Sequence, residues 1–140
     1  MQKELHLSQG HLTLLHNYSE DSLPLEAVAL LFGQIQEEVI RVTRVEQVEN
    51  TSVSSTISFS VDPEIEYALL IEAENQNEEM VAIFHSHPAP PRPSPRDLRN
   101  MKLNPVVWLI ASKISGRWES RAFLLDNEDA TIEIELVLFD

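Results

Sequence analysis

The stretch from Val81 to Asp97 constrains this chain more than any other. Val81–His87 is rich enough in β-branched, aromatic and other apolar residues to run extended, and Pro88 ends it. Residues 88–93 hold four prolines in six positions, so the loop has little backbone freedom to lose on folding. Ser94-Pro95-Arg96-Asp97 follows, with the serine, early proline and acidic residue of a helix start. A strand, a stiff short loop and a helix in that order fold back on one another. Side chains two apart on a strand share a face, so His85 and His87 project together, along with Val81 and Ile83. Asp97, near the start of the helix, is carried back toward them.

The flanking sequence supplies the rest of a domain. Ser8 reads as a helix N-cap, with Leu7 and Leu12 as its hydrophobic staple, and that helix stops before Pro24. Ala27–Phe32 is a short apolar run closed by Gly33, a buried strand. Glu38–Val48 is rich in β-branched residues. Ile57, Phe59 and Val61 alternate with Ser58 and Ser60, the pattern of a half-buried strand. Asp62-Pro63-Glu64 reads as N-cap, proline at N1 and acidic first turn. Ile65, Ala68, Leu69 and Ala73 then carry a second helix to about Asn77. Val106–Ser112, Trp118–Leu125 and Thr131–Phe139 read as strands, the last with Ile132, Ile134, Leu136 and Leu138 on one face. No repeat or linker divides the 140 residues. The expectation is one α+β or α/β layered domain over 1–140, with a mostly antiparallel mixed sheet flanked by helices.

Composition narrows the chemistry. The chain has no cysteine, which excludes disulfides and thiolate metal sites. Any metal is therefore held by histidine and carboxylate. The net charge is −13, which argues against nucleic acid as a partner, because phosphate binding needs clustered Lys and Arg. Most of that charge, −12, lies in residues 1–91, either a solvated acidic surface or a face for a basic partner. The N-terminal residues lack the apolar stretch of a signal peptide, and no apolar run approaches the roughly 20 residues of a membrane span. The expectation is a soluble, cytoplasmic protein with no membrane partner.

Two histidines on one strand face plus an aspartate at the following helix make a two-His, one-carboxylate set. That set leaves a fourth position open, the arrangement of a catalytic rather than a structural zinc. Each residue also has a plainer role. A strand histidine is ordinarily a satisfied polar group, and Ser94 with Asp97 fits a capping box. A capping box does not need His-x-His before it, nor does paired histidine need a capping box after it; their conjunction favours the metal.

His85-Ser86-His87-Pro88 followed by Ser94-Pro95-Arg96-Asp97 resembles the His-Ser/Thr-His…Ser-x-x-Asp signature of the JAMM/MPN+ metalloproteases. Pro24-Leu25-Glu26, running on to Gly33, is similar to that family's upstream glutamate stretch. The loop from His87 to Ser94 holds six residues, one fewer than the commonest family spacing, and Ala29 stands where many members have glycine. The overall look is nearest to compact archaeal relatives of the proteasome-lid deubiquitinase. The resemblance implies an MPN, cytidine-deaminase-like architecture. It implies one Zn2+ per chain on His85, His87 and Asp97, with Glu26 as general base and Ser94 as oxyanion donor.

The implied reaction is zinc-dependent hydrolysis of the isopeptide or peptide bond after the C-terminal Gly-Gly of ubiquitin or a ubiquitin-like protein. Association with a proteasome-like complex goes with it. The alternatives are a peptidase trimming a small sulfur-carrier protein and a non-catalytic MPN scaffold, against which the intact ligand set weighs. An extended, side-chain-poor tail is naturally gripped through its backbone as an added strand. Ser54, Ser55, Thr56, Ile57, Ser58 and Phe59, within the polar segment Asn50–Ser60, are the candidates for that grip. Either they do so, or they form an ordinary connection between strands. His6, His11 and His16 receive no role, and Trp108 and Trp118 read as core.

Overall fold

The computed structural model describes residues 3–56 and 58–140. In chain order the elements are β1 (Glu4–Ser8), α1 (Gln9–Ser22), β2 (Val28–Gln36), β3 (Val39–Val48), α2 (Pro63–Asn75), β4 (Glu79–His87), α3 (Pro95–Leu103), β5 (Val107–Ser112), β6 (Glu119–Leu125) and β7 (Thr131–Phe139). The expected single α+β domain with a mixed, mostly antiparallel sheet is present. The sheet is more than the expected layer: the strands run β1-β3-β2-β4-β5-β6-β7 and close into a barrel. Closure comes from β1, which pairs in parallel with both β3 and β7. The sequence reading missed β1 because five residues leading into a helix look like its approach. Yet Leu5 and Leu7 are fully buried between half-buried neighbours, the period-two signature of a strand.

Helices cover both faces of the sheet. Leu12 and Leu15 of α1 pack with Leu5, Leu7, Ala29, Leu31 and Phe84. Ala73 of α2 and Met101 of α3 pack against Val28, Leu30, Ile83, Trp108 and Ile110 on the other side. Ser8 caps α1, accepting from the His11 N–H, and Asp62 caps α2, accepting from Glu64. Each fully buried Leu, Ile or Phe adds roughly 1.5–3 kcal/mol, so two such faces hold the barrel against chain entropy.

Three local expectations need correction. Gly33 does not end β2; the strand runs on to Gln36. A Cβ at Gly33 would lie 1.8 Å from the Arg41 carbonyl oxygen. The glycine therefore permits close approach to β3 at an irregularity in register. The strand expected over Ile57–Val61 does not form among the described residues, and Ile57 lies outside them. The Asn50 side chain, Thr51 and the Ser54 carbonyl instead take up the backbone groups of Ser58 and Ser60. Val81 does not share the face of His85, because the pairing with β2 shifts between Ala82 and Met80 and leaves Val81 as an extra residue. Val81 thus packs with the α1 side while Ile83 packs with the α2 and α3 side. On β7 only Ile134 is fully buried; Ile132 and Leu138 at its ends are exposed. Among the described residues, no helix is long and apolar enough to cross a membrane.

Candidate metal and catalytic site

The site forms where β4 ends. His85 pairs with Val28 of β2 on one side and with Ile110 of β5 on the other. Its ring is fully buried, 4.8 Å from the Phe59 ring and edge-on to Trp108. His87 follows two residues on, its ring centroid 5.5 Å from that of His85. Ser86, pointing to the opposite face, accepts from the Ala27 N–H at 2.7 Å, and its own N–H donates to the Ala27 carbonyl. This exchange fastens Ala27, and with it Glu26, alongside His85. The serine between the histidines thus has a structural task that spacing alone did not disclose.

Glu26 is buried just ahead of β2, and its Oε1 lies 3.2 Å from His85 Nδ1. Asp97 arrives from the other direction on α3. Ser94 caps that helix in a reciprocal box: Asp97 N–H donates to Ser94 Oγ at 3.1 Å, and Ser94 N–H donates to Asp97 Oδ2 at 2.9 Å. The same Oδ2 stands 3.4 Å from His85 Nε2 and 3.9 Å from His87 Nε2. All five residues singled out in the sequence as metal-ligating or catalytic therefore meet at one place.

The imidazoles are presented in a defined tautomer. His87 Nδ1 lies 3.1 Å from the Pro90 carbonyl, and His85 Nδ1 lies 3.2 Å from the Ser86 carbonyl as well as from Glu26. A carbonyl only accepts, so Nδ1 carries a proton in each ring, and in the neutral form Nε2 is the nitrogen that holds the lone pair. Oxygen acceptors behind the ligating nitrogen are the usual support of a metal-bound histidine.

Two buried polar atoms here have no hydrogen-bond partner, His85 Nε2 and Glu26 Oε2. The Asp97 contact to His85 Nε2 is an ion-pair contact without hydrogen-bond geometry. An orphaned imidazole nitrogen, a second imidazole and a carboxylate fit a zinc ion by donor type. Among the described residues, no three His, Asp or Glu side chains already stand as a ready-made metal cluster; Asp97 Oδ2 lies between the two rings instead. Burial opposes charge on His85, but the Asp97 and Glu26 carboxylates outweigh it and lift its pKa to about 9. Burial likewise pushes the Asp97 carboxyl up, yet His85 and the Ser94 backbone N–H hold it below its ordinary value.

The six substrate-loop candidates divide. Ser54 and Ser55 turn their carbonyls inward, to Ser58 and to the Glu26 N–H. Ser58 is buried, and Phe59 stacks by His85. Thr56 joins Glu26, His87, Pro88, Leu25 and Trp118 around a recess of about 40 Å³. Among the described residues this segment forms no strand, and the carbonyls of Ser54, Ser55, Ser58 and Ser60 are already bonded within it or to Asn50, Thr51 and Glu26. Trp108 is core as expected, and half-buried Trp118 packs against the core while donating to Glu20 and standing at the recess. His6 pairs with Glu4 and His16 with Ser120, outside the site. Asn50, overlooked in the sequence, donates to the Glu26 carbonyl at 2.9 Å; a lone asparagine carries no spacing signal.

Known proteins share this arrangement of chain. A solution structure from Desulfitobacterium hafniense superposes with a TM-score of 0.83 at 29% identity, covering 97% of this chain and 93% of that one. One from Salinibacter ruber, with a TM-score of 0.71 at 24% identity over 99% of this chain and 92% of that one, shares the fold. In sequence, the chain is 38% identical over 118 residues to a desampylase of Pyrococcus furiosus, covering 84% of this chain and 79% of that protein. It is 33% identical over 103 residues to a probable TtuB-protein conjugate cleaving protease of Thermus thermophilus, covering 73% of this chain and 63% of that protein. Residues 8–125 match the family described as prokaryotic homologs of the JAB domain, a span that contains β2, β4, α3 and all five site residues. The chain belongs to that family, the prokaryotic homologs of the JAB domain.

Proposed function

We propose that this protein is a zinc-dependent peptidase that cleaves after the C-terminal Gly-Gly of a ubiquitin-like modifier, releasing it from the protein to which it is joined. The observation that carries this reading is the convergence of two Nδ1-anchored imidazoles on Asp97, beside a buried Glu26 whose Oε2 has no partner. The Thermus relative is named for cleaving TtuB-protein conjugates, which supports a modifier–protein bond as the substrate.

His85, His87 and Asp97 would hold the metal. Bound zinc would supply a Lewis acid for the scissile carbonyl and a water acidified enough to attack it. Glu26 has one oxygen engaged by His85 and one unengaged. Its Oε2 therefore accepts a proton and passes it to the leaving amine. In the cap, Ser94 Oγ uses only a lone pair. Its hydroxyl hydrogen stays available to donate to the developing oxyanion. Capping and catalysis thus do not compete for the hydroxyl. Phe59 and Trp108 shield the His85 ring from water.

The test is incubation of the purified protein with linear fusions of several ubiquitin-like modifiers, each ending in Gly-Gly before a reporter. Cleavage after Gly-Gly, lost to a chelator and restored by zinc, is the expected result. Failure to cut any fusion, or cutting indifferent to the chelator, overturns it.

A further inference from the structure

Asn50 makes more polar contacts than any other uncharged side chain near the site. Its Nδ2 donates to the carbonyls of Glu26 and Ser58, both at 2.9 Å, with the Ser55 carbonyl a weaker third at 3.4 Å. Its Oδ1 accepts from the N–H groups of Ser52 at 3.0 Å and Ser60 at 3.2 Å. One carboxamide therefore spans both ends and the middle of the serine loop and reaches across to the residue ahead of β2. The loop returns the contact, because the Ser55 carbonyl accepts from the Glu26 N–H at 2.6 Å. Both main-chain polar groups of Glu26 are thus held by this loop and Asn50. Phe59, at the loop's far end, lies against the His85 ring.

We infer that Asn50 is a positioning residue, locking the serine loop to the Glu26 backbone so that loop conformation sets where the Glu26 carboxylate stands. The inference rests on Glu26 being the general base, as proposed above. Only a side chain with both a donor and an acceptor at this reach fills the role. Aspartate has the shape but turns an oxygen toward three carbonyls, and alanine offers neither function. A loop that is displaced carries Glu26 with it, and proton transfer is steep in such displacement. Binding of substrate against the loop is thereby coupled to placement of the base.

The experiment compares Asn50→Ala, Asn50→Asp and, as a control for lost stability alone, Ile134→Val in the core of β7. Three readouts are taken on the full chain: zinc content, kcat and KM on a cleavable modifier fusion, and amide hydrogen exchange. Both Asn50 variants are expected to keep zinc and to lose about tenfold or more in kcat, Asp more than Ala. Glu26 and Ser60 amides should exchange about tenfold faster while that of Leu31 in β2 is unchanged. Ile134→Val should keep the wild-type kcat. A kcat within about twofold of wild type in both Asn50 variants, or unchanged exchange at Glu26, overturns the inference. If wild-type protein cuts no fusion, the peptidase reading fails by itself, and exchange at Glu26 still decides whether Asn50 holds that residue.

Discussion

Glu26 Oε1 stands 3.2 Å from His85 Nδ1, although the two residues are 59 positions apart in the chain. Neither is exposed to solvent. A buried carboxylate with one free oxygen beside the proposed metal ligands suits the proposed general base. Glu26→Gln is therefore expected to keep zinc and lose nearly all turnover, because glutamine keeps the shape and a partner for His85 but cannot take the proton. Zinc analysis alongside single-turnover rates checks this, and a near-normal rate would remove Glu26 from the mechanism.

Metal stoichiometry follows from the donor count. Elemental analysis after zinc loading should give about one ion per chain. His87→Ala and Asp97→Ala should lose both the ion and activity. Thiol reagents should do little, as there is no cysteine. Two tightly held ions per chain would contradict the assignment.

Substitution separates the cap made by Ser94 from its proposed oxyanion role. Ser94→Ala removes the cap, costing about 1 kcal/mol of stability. It also removes the hydroxyl, which on the proposed oxyanion role should cost on the order of 10²-fold in kcat. Ser94→Thr keeps both functions and should retain most of each. Thermal melts together with kcat distinguish the outcomes; a loss in Ser94→Ala confined to stability leaves the serine as a cap only.

Gly33 tests the barrel. Its missing Cβ lets β2 lie against the Arg41 carbonyl, so Gly33→Ala forces a backbone shift costing on the order of 3 kcal/mol. Denaturant titration should show the loss as a lower midpoint. A variant as stable as wild type would mean that β2 and β3 separate there at little cost.

His16 gives the fold a mild acid sensitivity. Its ring is half-buried beside Ser120 and Trp118, and burial holds its pKa below 6.5. The unfolded chain therefore takes up the proton first as pH falls. The stability present above pH 6.5 declines below it, until the folded ring also protonates. His16→Gln should make the fall in Tm between about pH 7 and pH 5 smaller than in wild type. An unchanged fall would assign the acid sensitivity to other groups.

Much of the candidate site was legible in the chain because its placement depends on local geometry. Alternation on one strand put His85 and His87 on one face, and the Ser94-to-Asp97 spacing makes a capping box wherever a helix begins. The two proline-marked helix starts, at Asp62 and Ser94, rest on backbone rules that act within a single turn. Glu26 was different. Among 23 acidic residues, family resemblance picked it out, since no local rule says that it lies by His85.

What the sequence by itself determined was therefore the elements whose causes are short-range, together with the residue types able to hold a metal. Only the tertiary structure decided barrel closure, the slip that turns Val81 away from His85, and the fate of the serine loop. It alone brought Asn50 and Ser86 to the backbone around Glu26. Strand partners and buried hydrogen bonds are chosen by which groups meet after the chain has folded. β1 closes the sheet because Leu5 and Leu7 find a core on β3 and β7. Among the described residues, the segment after Asn50 stays out of the sheet because Asn50, Thr51 and the serines take up its backbone groups first.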